Sequence, residues 1–268
     1  MSQAGGSSAT IESNENIGLG AAPAAGGRRE GITVLVMVLA PIGLAAILVA
    51  VGVCVIAAWQ MVHRVPVKLP KPADIRLYGL LAYAIASWID VAVVWRWSSH
   101  RGLSREVFLF RPLTWSAVLA SIVGCVVATY GVSTVVHWVA HLTGGRGPDV
   151  RLNDTQSVVI YLLLFVVTTP VSEEVLFRGL LVAWLRGIGW KDSTIWLAGT
   201  LLFAANHWPL GFAWSVGVVV LGAVLFAIRL QHNSLSPAWL AHVLFNAQPF
   251  LTYPLIAWLA PQLLPGGL

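Results

Sequence analysis

The sequence predicts an all-α fold, a polytopic transmembrane helical bundle, and three observations carry that expectation. Of 268 residues, 57% are hydrophobic and 10% are charged, where a soluble domain carries about 25% charged residues. The apolar residues fall in a series of runs long enough to span or enter a bilayer, for which about 20 residues are needed. The 13 Trp residues suit a chain that meets the membrane interface repeatedly, because indole rings favour headgroup depth.

Residues 1–31 are rich in Gly, Ala, Ser and Asn. They cannot bury enough apolar surface to fold alone and are expected to be a disordered tail. They lack the basic start and short apolar core of a signal peptide. Ile32 to Val62 is the first run, with Pro41 as a kink point. Leu77 to Trp95 and Thr114 to Leu142 follow, and each is expected to cross once. These runs make up an N-terminal helical region, 32–154. The region 155–264 begins with Ser157 to Leu185, which the sequence reading interrupts at Pro170. Thr194 to His207, Phe212 to Leu230, Pro237 to Phe250 and Leu251 to Leu264 complete the set. Several are shorter than a full span and read as buried or partial helices, for about seven or eight membrane helices in all.

The formal net charge of +5 is not a nucleic-acid footprint. The basic residues lie in short segments between apolar runs: Arg28 and Arg29; Arg64, Lys68, Lys71 and Arg76; Arg96, Arg101, Arg105 and Arg111. That placement makes membrane lipids with anionic headgroups the expected partner. Arg28 and Arg29 favour a cytoplasmic N-terminus, and Arg186, Lys191 and Arg229 mark later cytoplasmic turns. The Ala-, Gly-, Val- and Trp-rich composition looks bacterial, which points to a bacterial plasma membrane. Cys54 and Cys125 both lie in apolar runs. They read as small hydrophobes, with no disulfide framework and no thiolate metal site.

Charge inside an apolar run is costly and is a functional-site hypothesis by default. Three places stand out. In Ser172-Glu173-Glu174-Val175-Leu176-Phe177-Arg178, Glu174 and Arg178 are four apart on a helix and pair on one face. Glu173 lies about 100° around the axis and is left without that partner. A desolvated carboxylate of this kind suits a general base. Ser172 is placed to cap a helix starting just after Pro170. The second place is Phe203 to His207, and the third is His242 with Asn246, again four apart. Glu173 precedes Lys191 by 18 residues and His207 follows it by 16, so both sit roughly 24–27 Å from that turn and share a level. His242 lies only six residues past Ser236, about 9 Å along a helix. Bringing it to the same level requires a dipping loop, a tilt or a break.

These motifs, EExxxR at Glu173, Glu174 and Arg178, FxxxH at Phe203 and His207, and HxxxN at His242 and Asn246, resemble in order and spacing those of the CPBP family. This family, also called Abi, groups CAAX prenyl endopeptidases with bacteriocin-processing and immunity proteins. The resemblance covers about residues 155–250 and implies an intramembrane endopeptidase. It implies that Glu173 activates a water, that His207 holds or shares that water, and that His242 and Asn246 stabilise the oxyanion. Glu174 and Arg178 would support them. It also leaves open a metalloprotease, in which Glu173, His207 and His242 ligate a divalent metal such as zinc; the sequence has no HExxH. The substrate would be a lipidated or membrane-associated peptide or protein; the bacterial composition argues against a CAAX sequence as the native one and for peptide maturation or bacteriocin self-immunity. A non-catalytic scaffold, a bacteriocin self-immunity protein and an ion-relaying transporter are the competing classes. His137 and His141 read as an interfacial pair, and Asp90 as a mid-span acid that needs a partner outside the catalytic set.

Overall fold

The computed structural model of the chain describes residues 28–64, 72–144 and 155–251. Every regular element among them is helical. The order is α1 (Arg28–Val62), α2 (Pro72–His100), α3 (Ser104–Val107), α4 (Trp115–Thr143), α5 (155–187), α6 (Asp192–Asn206), α7 (Phe212–His232) and α8 (Leu235–Asn246). Five of them, α1, α2, α4, α5 and α7, are long and apolar enough to cross a membrane, so the chain is an integral multi-pass membrane protein. Helices α6 and α8 are shorter, 15 and 12 residues, which agrees with the partial runs read there. α1 starts at Arg28, so residues 28–31 of the expected tail are helical. The rest of that tail, and the expected run Leu251 to Leu264 beyond its first residue, lie outside the described residues.

The outer surface matches a lipid solvent. Ile47, Val55, Ile85, Leu119 and Tyr130 are all more than half exposed, an arrangement that water would penalise. Lipid tails are as apolar as Leu, so helices gain little by hiding such residues from them. Association rests instead on close packing of small residues and on polar bonds. The α4–α7 pair shows this. A Cβ at Gly124 would come within 2.6 Å of Ile228, and one at Gly131 within 2.7 Å of Val220. The glycines let the two helices touch.

Helix α5 is the centre of the bundle. Every residue from Ser172 to Val182 is buried, and the helix packs against α1, α2, α3, α6 and α8. Gly179 meets α3 backbone to backbone: a Cβ there would lie 2.2 Å from the Val107 carbonyl oxygen. A backbone oxygen cannot swing aside as a side chain can. Gly179→Ala is therefore expected to lower stability by about 1–3 kcal/mol, read as a lower melting temperature in detergent. An unchanged melting temperature would show that α3 is not firmly docked.

The helix also corrects the reading of Pro170. It does not break there, and Ser172 does not cap a new start; its hydroxyl donates to Thr169 O at 3.1 Å. Two wide π-helical stretches, Leu162–Thr168 and Glu174–Leu181, flank a short α-helical piece that holds the proline. π turns are rare and occur mainly at functional sites. Here the first one absorbs the proline, as the hydrogen bonds below show.

Polar bonds fix the ends of the shorter helices. Arg186 donates to both carboxylate oxygens of Asp192, at 3.0 and 2.9 Å, and to Asn233 Oδ1 at 2.9 Å. The α7–α8 connection is thereby tied to the α5–α6 turn. Helix α8 begins inside the protein. Leu235 N donates to Leu109 O at 2.8 Å, Ser236 Oγ donates to Arg111 O at 2.6 Å, and Leu235 is fully buried. The chain between α3 and α4 receives the start of α8 below the surface. This dipping entry brings His242 to depth within a short helix.

Candidate active site

The π turn before Pro170 creates the first piece of the site. In a regular α-helix, Thr169 N–H would bond Phe165 O. Here Thr169 N–H reaches one residue further, to Leu164 O. The next N–H that could serve Phe165 O in the widened register belongs to residue 170, and proline has none. The Phe165 carbonyl is thus left for a side chain, and Asn246 Nδ2 donates to it at 2.7 Å. Tyr161 O–H donates to Asn246 O at 3.0 Å. The end of α8 is therefore seated on the irregular part of α5. One N–H of the Asn246 amide is committed to this seat.

The second piece is a buried charge cluster. Arg178 Nη1 lies 3.3 Å from Glu174 Oε1, both side chains fully buried, as the four-residue spacing predicts. His242 Nδ1 lies 2.9 Å from the same oxygen. The Arg178 guanidinium sits over the rings of Phe203 and Phe226, its carbon 4.0 and 4.5 Å from their centroids. Its nitrogens make no hydrogen bond of good geometry. Its charge is balanced by Glu174 and by two aromatic faces, which attract a desolvated guanidinium.

Glu173 is the third piece. Its side chain is 4% exposed. Oε1 accepts a hydrogen bond from Tyr83 O–H at 3.1 Å. Oε2 is buried with no hydrogen-bond partner among the described residues, 4.0 Å from His207 Nε2 and 3.8 Å from His242 Nε2. His207 Nδ1 faces Phe203 O at 2.8 Å. A carbonyl and an ionised carboxylate only accept, so each ring donates from Nδ1 and turns Nε2 toward Glu173. Glu173 Oε2 and the two Nε2 atoms thus converge at separations too long for direct hydrogen bonds. His207, 13% exposed against 2% for His242, is the more open side.

The structure brings together Glu173, Glu174, Arg178, His207 and His242 as the motifs suggest. The shared level of Glu173 and His207 is seen directly in their separation. Asn246 is placed one turn beyond His242, against Phe165. Tyr83 escaped the sequence reading: a tyrosine in an apolar run carries no motif, and only the packing of α2 on α5 reveals its contact. Asp90 is buried, and its Oδ2 has no hydrogen-bond partner among the described residues. His137 and His141 are exposed on α4.

Glu173, His207 and His242 are ligand types that zinc accepts, and both rings hold the acceptor on Nδ1 that commonly orients metal-bound histidines. The donor chemistry fits. The spacing is open: tetrahedral zinc ligands stand about 3.3 Å apart. Among the described residues no three His, Cys, Asp or Glu side chains form a ready metal-holding group.

No curated protein and no solved structure matches the chain significantly. Residues 155–248 match the model of a family described as type II CAAX prenyl endopeptidase Rce1-like. The matched stretch spans α5 to α8 and contains the three motifs with all six of their polar residues. Over this segment the chain is similar to that family, in keeping with the resemblance of its three motifs to the CPBP family.

Proposed function

We propose that the chain is an intramembrane endopeptidase that hydrolyses a peptide bond in a lipidated or membrane-associated peptide or protein. The observation that carries the proposal is the partnerless, buried Glu173 Oε2 facing two ring nitrogens. One water held between Oε2 and His207 Nε2 can bond to both atoms. Glu173 takes a proton from that water as its oxygen attacks the scissile carbonyl, and the proton then passes to the leaving amine. His242 stabilises the oxyanion in the form protonated on both nitrogens, with Glu174 balancing its charge. Asn246 contributes the amide hydrogen not used at Phe165. Arg178 holds Glu174, and Glu174 holds the His242 ring.

A second version keeps the same residues and adds a divalent metal on Glu173, His207 and His242. When bound, it would polarise the scissile carbonyl as a Lewis acid. Thorough chelation with zinc add-back separates the versions. The metal-free version expects cleavage unaffected by chelation, and loss restored by zinc would establish the other.

The test is cleavage of a membrane-inserted reporter peptide ending in an isoprenylated CAAX sequence, with the purified chain in proteoliposomes. His207→Ala is expected to lower the rate about 10²- to 10⁴-fold, with little change in melting temperature. Wild-type cleavage by that variant would remove His207 from the mechanism.

A further inference from the structure

We propose that Tyr83 on α2, outside the matched segment, is a positioning residue for Glu173. The inference rests on the reading of Glu173 as the base. A glutamate has several rotatable bonds, and a buried one that makes no bonds is free to swing or to exchange its two oxygens. Glu173 performs its role only if one oxygen faces His207 and His242. Tyr83 O–H, donating to Oε1 at 3.1 Å, occupies that oxygen and leaves Oε2 as the one that faces the rings.

Tyr83 is itself braced. It packs on the Ala45, Ala82 and Ala86 cluster that joins α1 to α2, where small side chains let the helices approach closely. A second tie holds α2 on α5: Trp88 Nε1 donates to Thr168 Oγ1 at 3.3 Å. The other charged and titratable groups near Glu173 are Glu174 and Arg178 on α5, His207 at the end of α6 and His242 on α8. Asp90 lies two turns along α2 from Tyr83. Among the described residues, Tyr83 supplies the hydrogen bond that Glu173 accepts. The active site therefore extends beyond residues 155–248 and is incomplete without α2.

The experiment compares Tyr83→Phe, Trp88→Phe and Glu173→Gln in the full chain, with the same isoprenylated reporter in proteoliposomes. Tyr83→Phe removes one hydroxyl. It is expected to lower kcat roughly 10- to 100-fold, the worth of one hydrogen bond to a charged group. KM is expected to stay at its wild-type value, because the bond acts on the chemical step rather than on substrate binding. Trp88→Phe, which breaks the neighbouring tie without touching Glu173, is expected to keep kcat. Three results would overturn the inference: wild-type kcat in Tyr83→Phe while Glu173→Gln is inactive; a raised KM in Tyr83→Phe; or an equal loss of kcat in Trp88→Phe. Wild-type cleavage by Glu173→Gln would instead remove the reading of Glu173 on which the inference rests.

Discussion

Replacing Arg178 with alanine is expected to destabilise the protein by about 3–5 kcal/mol, the cost of breaking a buried ion pair from one side. The guanidinium is fully buried between Glu174 and the rings of Phe203 and Phe226. Its removal leaves the buried Glu174 carboxylate without its ion-pair partner, and opens a cavity between two aromatic faces. The loss should appear as a melting temperature in detergent far below wild type, or as a chain that no longer elutes as a monodisperse species. Arg178→Lys is not expected to rescue it. A compact ammonium lacks the planar face that stacks on both rings and carries a stronger demand for water. Wild-type melting of Arg178→Ala would mean that the cluster does not hold the core of α5.

Glu173→Gln is expected to do the opposite: to leave the fold and remove the chemistry. The amide has the shape of the carboxylate, and its oxygen can still accept from Tyr83. It has no basic oxygen to take a proton from water. Cleavage is expected to fall about 10²- to 10⁴-fold or further, the contribution of a positioned general base. The melting temperature is expected to stay near wild type, because Glu173 Oε2 makes no hydrogen bond that the fold would lose. The two substitutions together are expected to separate Glu174 with Arg178, whose loss unfolds the chain, from Glu173, whose loss stops cleavage.

The membrane fold was legible because lipid leaves a compositional mark, and the long runs of α1, α2, α4, α5 and α7 declare it. The pairing of Glu174 with Arg178 and the shared level of Glu173 and His207 followed from helical pitch alone. The passage through Pro170 did not. Proline normally ends a helical pattern, and what saves the helix here is a register change completed by Asn246, 76 residues downstream. No local pattern encodes such a bond. The depth of His242 was likewise unreadable, because it depends on Leu109 and Arg111 receiving the start of α8. Tyr83 was hidden for the same reason: its partner lies 90 residues away.

The most direct test of the central claim is cleavage of the isoprenylated reporter by wild-type chain and by Glu173→Gln, in matched proteoliposomes, with the products identified by mass spectrometry. Hydrolysis at one peptide bond is expected from the wild-type chain and almost none from Glu173→Gln, with both equally folded. Equal cleavage by the two proteins, or no cleavage by a well-folded wild-type chain, would contradict it and favour a membrane scaffold that keeps the polar cluster as structure.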